Sequence, residues 1–173
     1  MTLLAVDPGL AACGLAVWRR PAERLATLNG YAPLFVTAWT LRTASATPMG
    51  QRLDYLWMAA TAAVREHHVT AALIERPARR GVYARNARTS QAAIAEGMSL
   101  HDMATGVLWL ACHQAGVREI RWIAADKRTD AGRAEQLRLV LGDRLAKESE
   151  HARVAAWHGL RALLDHRRTW EAA

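Results

Sequence analysis

The sequence predicts an α/β fold: a five-stranded mixed sheet flanked by helices. Three observations carry this. Leu3 to Asp7 and Cys13 to Trp18 are apolar runs separated by Pro8-Gly9, which reads as neighbouring strands joined by a tight turn and therefore antiparallel. Ala71 to Glu75 is short and almost uniformly apolar, the mark of a strand buried on both faces of a parallel sheet. Elsewhere the apolar spacing changes to the three-and-four repeat of helices. The element order is then three strands followed by helix–strand–helix–strand–helix–helix.

Each element has its own signal. Leu34 to Leu41 is rich in Phe, Val, Thr and Trp and predicts a third strand. Pro48 opens a helix reaching His67, with apolar positions at Leu53, Leu56, Trp57, Ala60 and Val64. After Glu75, residues 76 to 95 carry no acid but hold Arg76, Arg79, Arg80, Arg85 and Arg88, and Pro77 and Gly81 make the first half loop-like. Helices are expected at Ser99–Ala115, Arg133–Leu141 and Lys147–Asp165, with a strand at Glu119–Ile123. Trp57, Trp109 and Trp157 fall at apolar helical positions and are expected in the core. No repeat or linker divides the chain, so residues 1–173 are expected to form one domain.

Composition narrows the function. A 51% hydrophobic content excludes a disordered chain. The opening lacks a basic leader, and the longest apolar run, Met103 to Cys112, is about half of the ~20 residues a membrane span needs. Cys13 and Cys112 sit in apolar patterns and are expected as buried free thiols, which suits a cytoplasmic location. There is no zinc-type CxxC or HExxH, no GxSxG elbow and no phosphate-binding glycine loop, so no nucleotide cofactor is expected. The formal net charge of +7 and a pI near 10.4 suit a polyanionic partner, although a bias toward arginine alone would also produce them.

The chemistry concentrates on strand-end acids. Asp7 and Glu75 each end an apolar strand, and in an open α/β sheet such groups converge on one crevice. Each alone would pass as a solvated carboxylate. Two at equivalent points suggest pairing or a cation. Glu148 and His151, three apart, are expected on one face of the last helix, where carboxylate and imidazole suit Mg²⁺ or Mn²⁺. An exposed helix start with Glu148 near the positive dipole end is the plainer alternative. His67, His68, His101, His113, His158 and His166 are expected at ordinary surface or core positions.

Three motifs resemble a known family. Leu3-Leu-Ala-Val-Asp-Pro-Gly-Leu-Ala-Ala-Cys-Gly-Leu-Ala-Val17 is similar to the first hairpin of RuvC-type Holliday junction resolvases. Ala71-Ala-Leu-Ile-Glu-Arg-Pro77 resembles their second motif. Glu148-Ser-Glu-His-Ala-Arg-Val-Ala-Ala-Trp-His-Gly-Leu160 resembles their C-terminal helix, particularly in bacteriophage-type members. The motifs occur in the family's order and span the chain. The resemblance implies a ribonuclease-H-like fold, a homodimer and a two-metal nuclease acting on four-way DNA junctions. Asp7 and Glu75 carry over as metal ligands and catalytic residues. The family's C-terminal pair is Asp-x-x-Asp, and Glu148 and His151 stand at those places.

By this resemblance the two ions sit ~4 Å apart, bridged by Asp7, with Glu75 on one and Glu148 and His151 on the other. His151 alternatively serves as a general base. Arg76, Arg79, Arg80, Arg85 and Arg88 would hold phosphates, Tyr83 would stack on a base at the junction centre, and Lys127 and Arg128 would add DNA contacts. Two rivals share these motifs: a flap, fork or RNA–DNA hybrid nuclease, and a junction-binding protein without catalysis.

Overall fold

The computed structural model describes residues 1–19, 34–76, 91–124 and 130–164, leaving aside the side chains of 91–98. Among these residues five strands form one sheet: β1 (Thr2–Asp7), β2 (Ala12–Arg19), β3 (Leu34–Arg42), β4 (Ala71–Glu75) and β5 (Glu119–Ile123), in the order β3-β2-β1-β4-β5. β1 pairs antiparallel with β2, and β2 with β3, whereas β4 runs parallel to both β1 and β5. The mixed sheet expected from the sequence is therefore present, with the parallel strands β1, β4 and β5 ending at one edge.

Among the described residues four α-helices flank it: α1 (Met49–Glu66), α2 (Gln91–Gln114), α3 (Asp130–Leu141) and α4 (Glu150–Leu164), with a 3-10 turn at Gly142–Leu145. Side-chain alternation along the strands makes two cores. On one face Leu4, Val6, Ala72 and Ile74 meet Leu56, Ala60 and Val64 of α1 and Leu108 and Ala111 of α2. On the other, Leu3, Ala71 and Leu73 meet Ala155, Ala156 and Leu160 of α4, with Leu137 of α3 behind them. Each fully buried Leu, Ile or Val contributes roughly 1.5–3 kcal/mol, so both layers hold the sheet firmly.

Four expectations need correction, the first being that α3 begins at Asp130 rather than Arg133. α2 begins at Gln91 rather than Ser99, so the acid-free stretch 76–95 ends inside the helix. α4 begins at Glu150 rather than Lys147, because Ser149 takes the capping place: its carbonyl accepts the Arg153 N–H (3.1 Å) and its hydroxyl accepts the Ala152 N–H (3.4 Å). Trp57 is 37% exposed, its indole N–H donating to Gln114, so it is not a core residue. Trp157 is buried as expected, and Trp109 packs partly buried against the α1–α2 core. Cys13 and Cys112 are buried free thiols. Burial raises both above the ordinary thiol value, Cys112 to about 12. No helix among the described residues is long and apolar enough to cross a membrane.

Candidate active site

The strand alternation decides where the acids point. In β1, Leu3 lies on the α4 face and Leu4 and Val6 on the other, so Asp7 falls on the α4 face. In β4, Ala71 and Leu73 lie on the α4 face, and Glu75 follows them there. Val6 pairs with Ile74, so the two acids leave neighbouring strands at the same level, just past the last paired residues.

Two glycines let α4 close over them. Gly14 pairs with Asp7 across the hairpin, and a Cβ at Gly14 would overlap the carbonyl of His151. The first turn of α4 can therefore rest directly on β2. Two turns later, a Cβ at Gly159 would overlap the Trp18 indole, so the helix is in contact there as well. Trp18 is itself fixed by an edge-on contact with Phe35 at 5.1 Å.

With α4 so placed, each acid meets an imidazole. His151 Nδ1 lies 2.8 Å from Asp7 Oδ2, and His158 Nε2 donates to Glu75 Oε2 at 2.5 Å. Asp7 is buried, and its pKa is raised. Burial is the largest cause; the hydrogen bond from His151 opposes it, and the Glu75 charge adds to it. The His151 pKa is raised too, chiefly by the hydrogen bond to Asp7. The Asp7–His151 pair thus holds a proton more tightly than either group does in water.

Glu148 does not share a helical face with His151. It lies half-buried in the bend before α4, and its side chain makes no hydrogen bond or ion pair with another described residue. Its carbonyl accepts from Arg153, which also grips Asp130 at the start of α3 through Nε (3.1 Å) and a terminal nitrogen (2.5 Å). The loop carrying Glu148 is thereby anchored to α3. Arg76 follows β4 directly, with an exposed side chain and its backbone N–H donating to the Ile123 carbonyl at 2.7 Å. Arg79, Arg80, Tyr83, Arg85, Arg88, Lys127 and Arg128 lie outside the described residues.

His158 is the residue that the sequence reading passed over. Its signal was the seven-residue spacing from His151, which puts both imidazoles on one side of α4. A groove of about 250 Å³ adjoins His151, lined by the Gly9–Ala12 turn, Arg52, Leu100 and His101. Arg52 is steadied there by donating to the Thr43 hydroxyl at 2.9 Å.

The fold is that of RuvC. Thermus thermophilus RuvC superimposes with a TM-score of 0.69, and with 0.70 in its complex with a Holliday junction substrate; each match is 16% identical and covers 96% of both chains. Fowlpox virus resolvase, in complex with Holliday junction DNA, matches at 0.49 with 8% identity over 97% of this chain and all of that one. No protein-family model and no curated protein matches the sequence. At such identities the likeness to RuvC establishes the fold alone.

The donor set suits a hard divalent cation in kind. Two carboxylates end adjacent strands with their charges opposing one another, and a half-exposed imidazole lies within hydrogen-bond distance of Asp7. Among the described residues no three such donors stand grouped around one point. The site consists of two acid–imidazole pairs side by side.

Proposed function

We propose that the chain is a divalent-metal-dependent endonuclease that resolves four-way DNA junctions by paired, symmetric phosphodiester hydrolysis. It would act as a homodimer in the cytoplasm of a bacterial or phage-infected cell. The observation that carries this is Asp7 and Glu75 on adjacent strand ends, under His151 of α4, in a chain with the RuvC fold. Thermus thermophilus RuvC binds a Holliday junction substrate, and that substrate is proposed here by likeness.

Asp7, Glu75 and His151 would hold Mg²⁺ or Mn²⁺, two ions per site, with Glu148 joining from the bend before α4. When bound, the ions supply the positive charge that activates water and offsets charge on the leaving oxygen. Asp7, on the strand beside Glu75 and in contact with His151, would be the central ligand of this set. His151, half-exposed, is alternatively placed to accept a proton from the attacking water. Arg76 and the further DNA contacts Arg79, Arg80, Tyr83, Arg85, Arg88, Lys127 and Arg128 belong to segments that follow β4 and β5, the strands ending at the same edge as Asp7. The basic residues among them would neutralise phosphates, and Tyr83 would stack on a base at the junction centre.

A second reading, a junction-binding protein without catalysis, is favoured by one observation: each acid is already satisfied by an imidazole. Labelled four-way junction, linear duplex, flap and RNA–DNA hybrid substrates, incubated in Mg²⁺ and in Mn²⁺, separate these possibilities. Symmetric nicks confined to the junction are expected. Cleavage of the flap or hybrid instead would make this a different nuclease on the same fold, and tight junction binding without nicks would make it a binder.

A further inference from the structure

His151 and His158 lie two turns apart on α4 and meet one acid each, but they differ in freedom. The His151 side chain is 42% exposed and has room to leave Asp7, whereas that of His158 is 0% exposed. Its neighbour Gly159 is packed against the Trp18 indole and Ala5, so α4 lies directly on the sheet beside it. His158 Nε2 donates to Glu75 Oε2 at 2.5 Å, while Nδ1 is buried without a partner among the described residues. An apolar side chain would fill this space without stranding a nitrogen, so packing alone does not call for histidine.

We propose that His158 is a positioning residue for Glu75. By engaging one carboxylate oxygen it fixes the side-chain rotamer and leaves the other oxygen for a divalent cation shared with Asp7. This rests on the metal-dependent reading above. It assigns the two imidazoles different work: His151 at the reacting centre, His158 behind it.

The test is Mn²⁺ binding to the full-length protein by calorimetry, for wild type, His158→Gln, His158→Asn and His158→Leu, each first checked for wild-type folding by near-ultraviolet circular dichroism. Gln places an amide donor near the Nε2 position, and Asn cannot reach it. Asn and Leu are expected to weaken Mn²⁺ binding about 10–100-fold, and Gln to restore most of the loss. If Leu fails to fold, the Gln and Asn pair, alike in polarity, decides the matter. Nitrogen-15 histidine labelling supplies an independent readout: a downfield imidazole N–H proton is expected in wild type and lost in Glu75→Gln. Asn binding Mn²⁺ as tightly as wild type, or a folded Gln variant no better than Asn, would overturn the proposal alone. Wild type binding no Mn²⁺ would overturn the metal site and this proposal together.

Discussion

Replacing Gly14 by alanine perturbs the point where α4 rests on the sheet. The new Cβ would overlap the His151 carbonyl and stand 3.0 Å from the Ala152 nitrogen. Both obstacles are backbone of a helix whose inner face is buried, so neither can swing aside as a side-chain tip would. Overpacking costs typically 1–3 kcal/mol, and about 3 kcal/mol is expected here because backbone must move. For a domain of this size each kcal/mol shifts the melting temperature about 2–4 °C, so Gly14→Ala is expected to melt roughly 6–12 °C below wild type. Lifting α4 also draws His151 from Asp7 and His158 from Glu75. A misplacement of ~1 Å at a reacting centre costs on the order of 100-fold in rate, so cleavage should fall further than stability explains. Gly106→Ala is the matched control: Gly106 is exposed within α2 with nothing within 4 Å, and alanine there should add about 0.5–1 kcal/mol. Thermal and urea melts of the three proteins, with cleavage measured below each transition, make the comparison. A Gly14→Ala protein melting with wild type would refute the close α4–β2 contact and, with it, the geometry of both acid–imidazole pairs.

Other consequences are simpler. Arg153 holds the Asp130 carboxyl below the usual carboxylate range, so this contribution to stability is present above the unfolded-state pKa and is lost as pH falls through the lower folded value. Asp130→Asn should therefore cost no more than about 1 kcal/mol near neutrality, the pair being partly solvated, and the deficit should vanish in urea melts taken well below pH 3.8. Arg76→Ala should weaken junction binding alike for all sequences and reduce the slope of log affinity against log salt by about 0.9, as expected for one lost phosphate contact; an unchanged slope would remove Arg76 from the interface. Leu108, fully buried against the sheet, should cost about 2–5 kcal/mol when cut to alanine, read from the urea midpoint.

How much of this was legible in the sequence follows from the range of each interaction. β1 and β4 announce themselves because apolar runs end abruptly in Asp7 and Glu75, and alternation by twos then fixes which face those acids take. The turn Pro8-Gly9 marks the hairpin, and the pairing of Asp7 with Gly14 follows from it. The start of α4 was misjudged because Lys147 and Glu148 are good helix formers, and only the Ser149 cap contacts reveal the true boundary. That three-residue error placed Glu148 on the His151 face, where the structure does not put it. His158 escaped notice because its partner Glu75 lies 83 positions away. Nothing local separates a histidine that binds an acid from one that fills a core, whereas the helix-to-sheet contact at Gly14 and Gly159 does so at once. The fold was legible because it rests on local periodicity. The pairs were not, because they exist only when α4 lies across β1 and β2.

The most direct test of the central claim is cleavage of a labelled four-way junction in Mn²⁺ by wild type and by Asp7→Asn, with both proteins shown to be folded and to bind the junction. Metal-dependent, symmetric nicks by wild type that disappear in Asp7→Asn are predicted. Equal cleavage by the two proteins, or none by either, would contradict the assignment of Asp7 and its neighbours as the catalytic site.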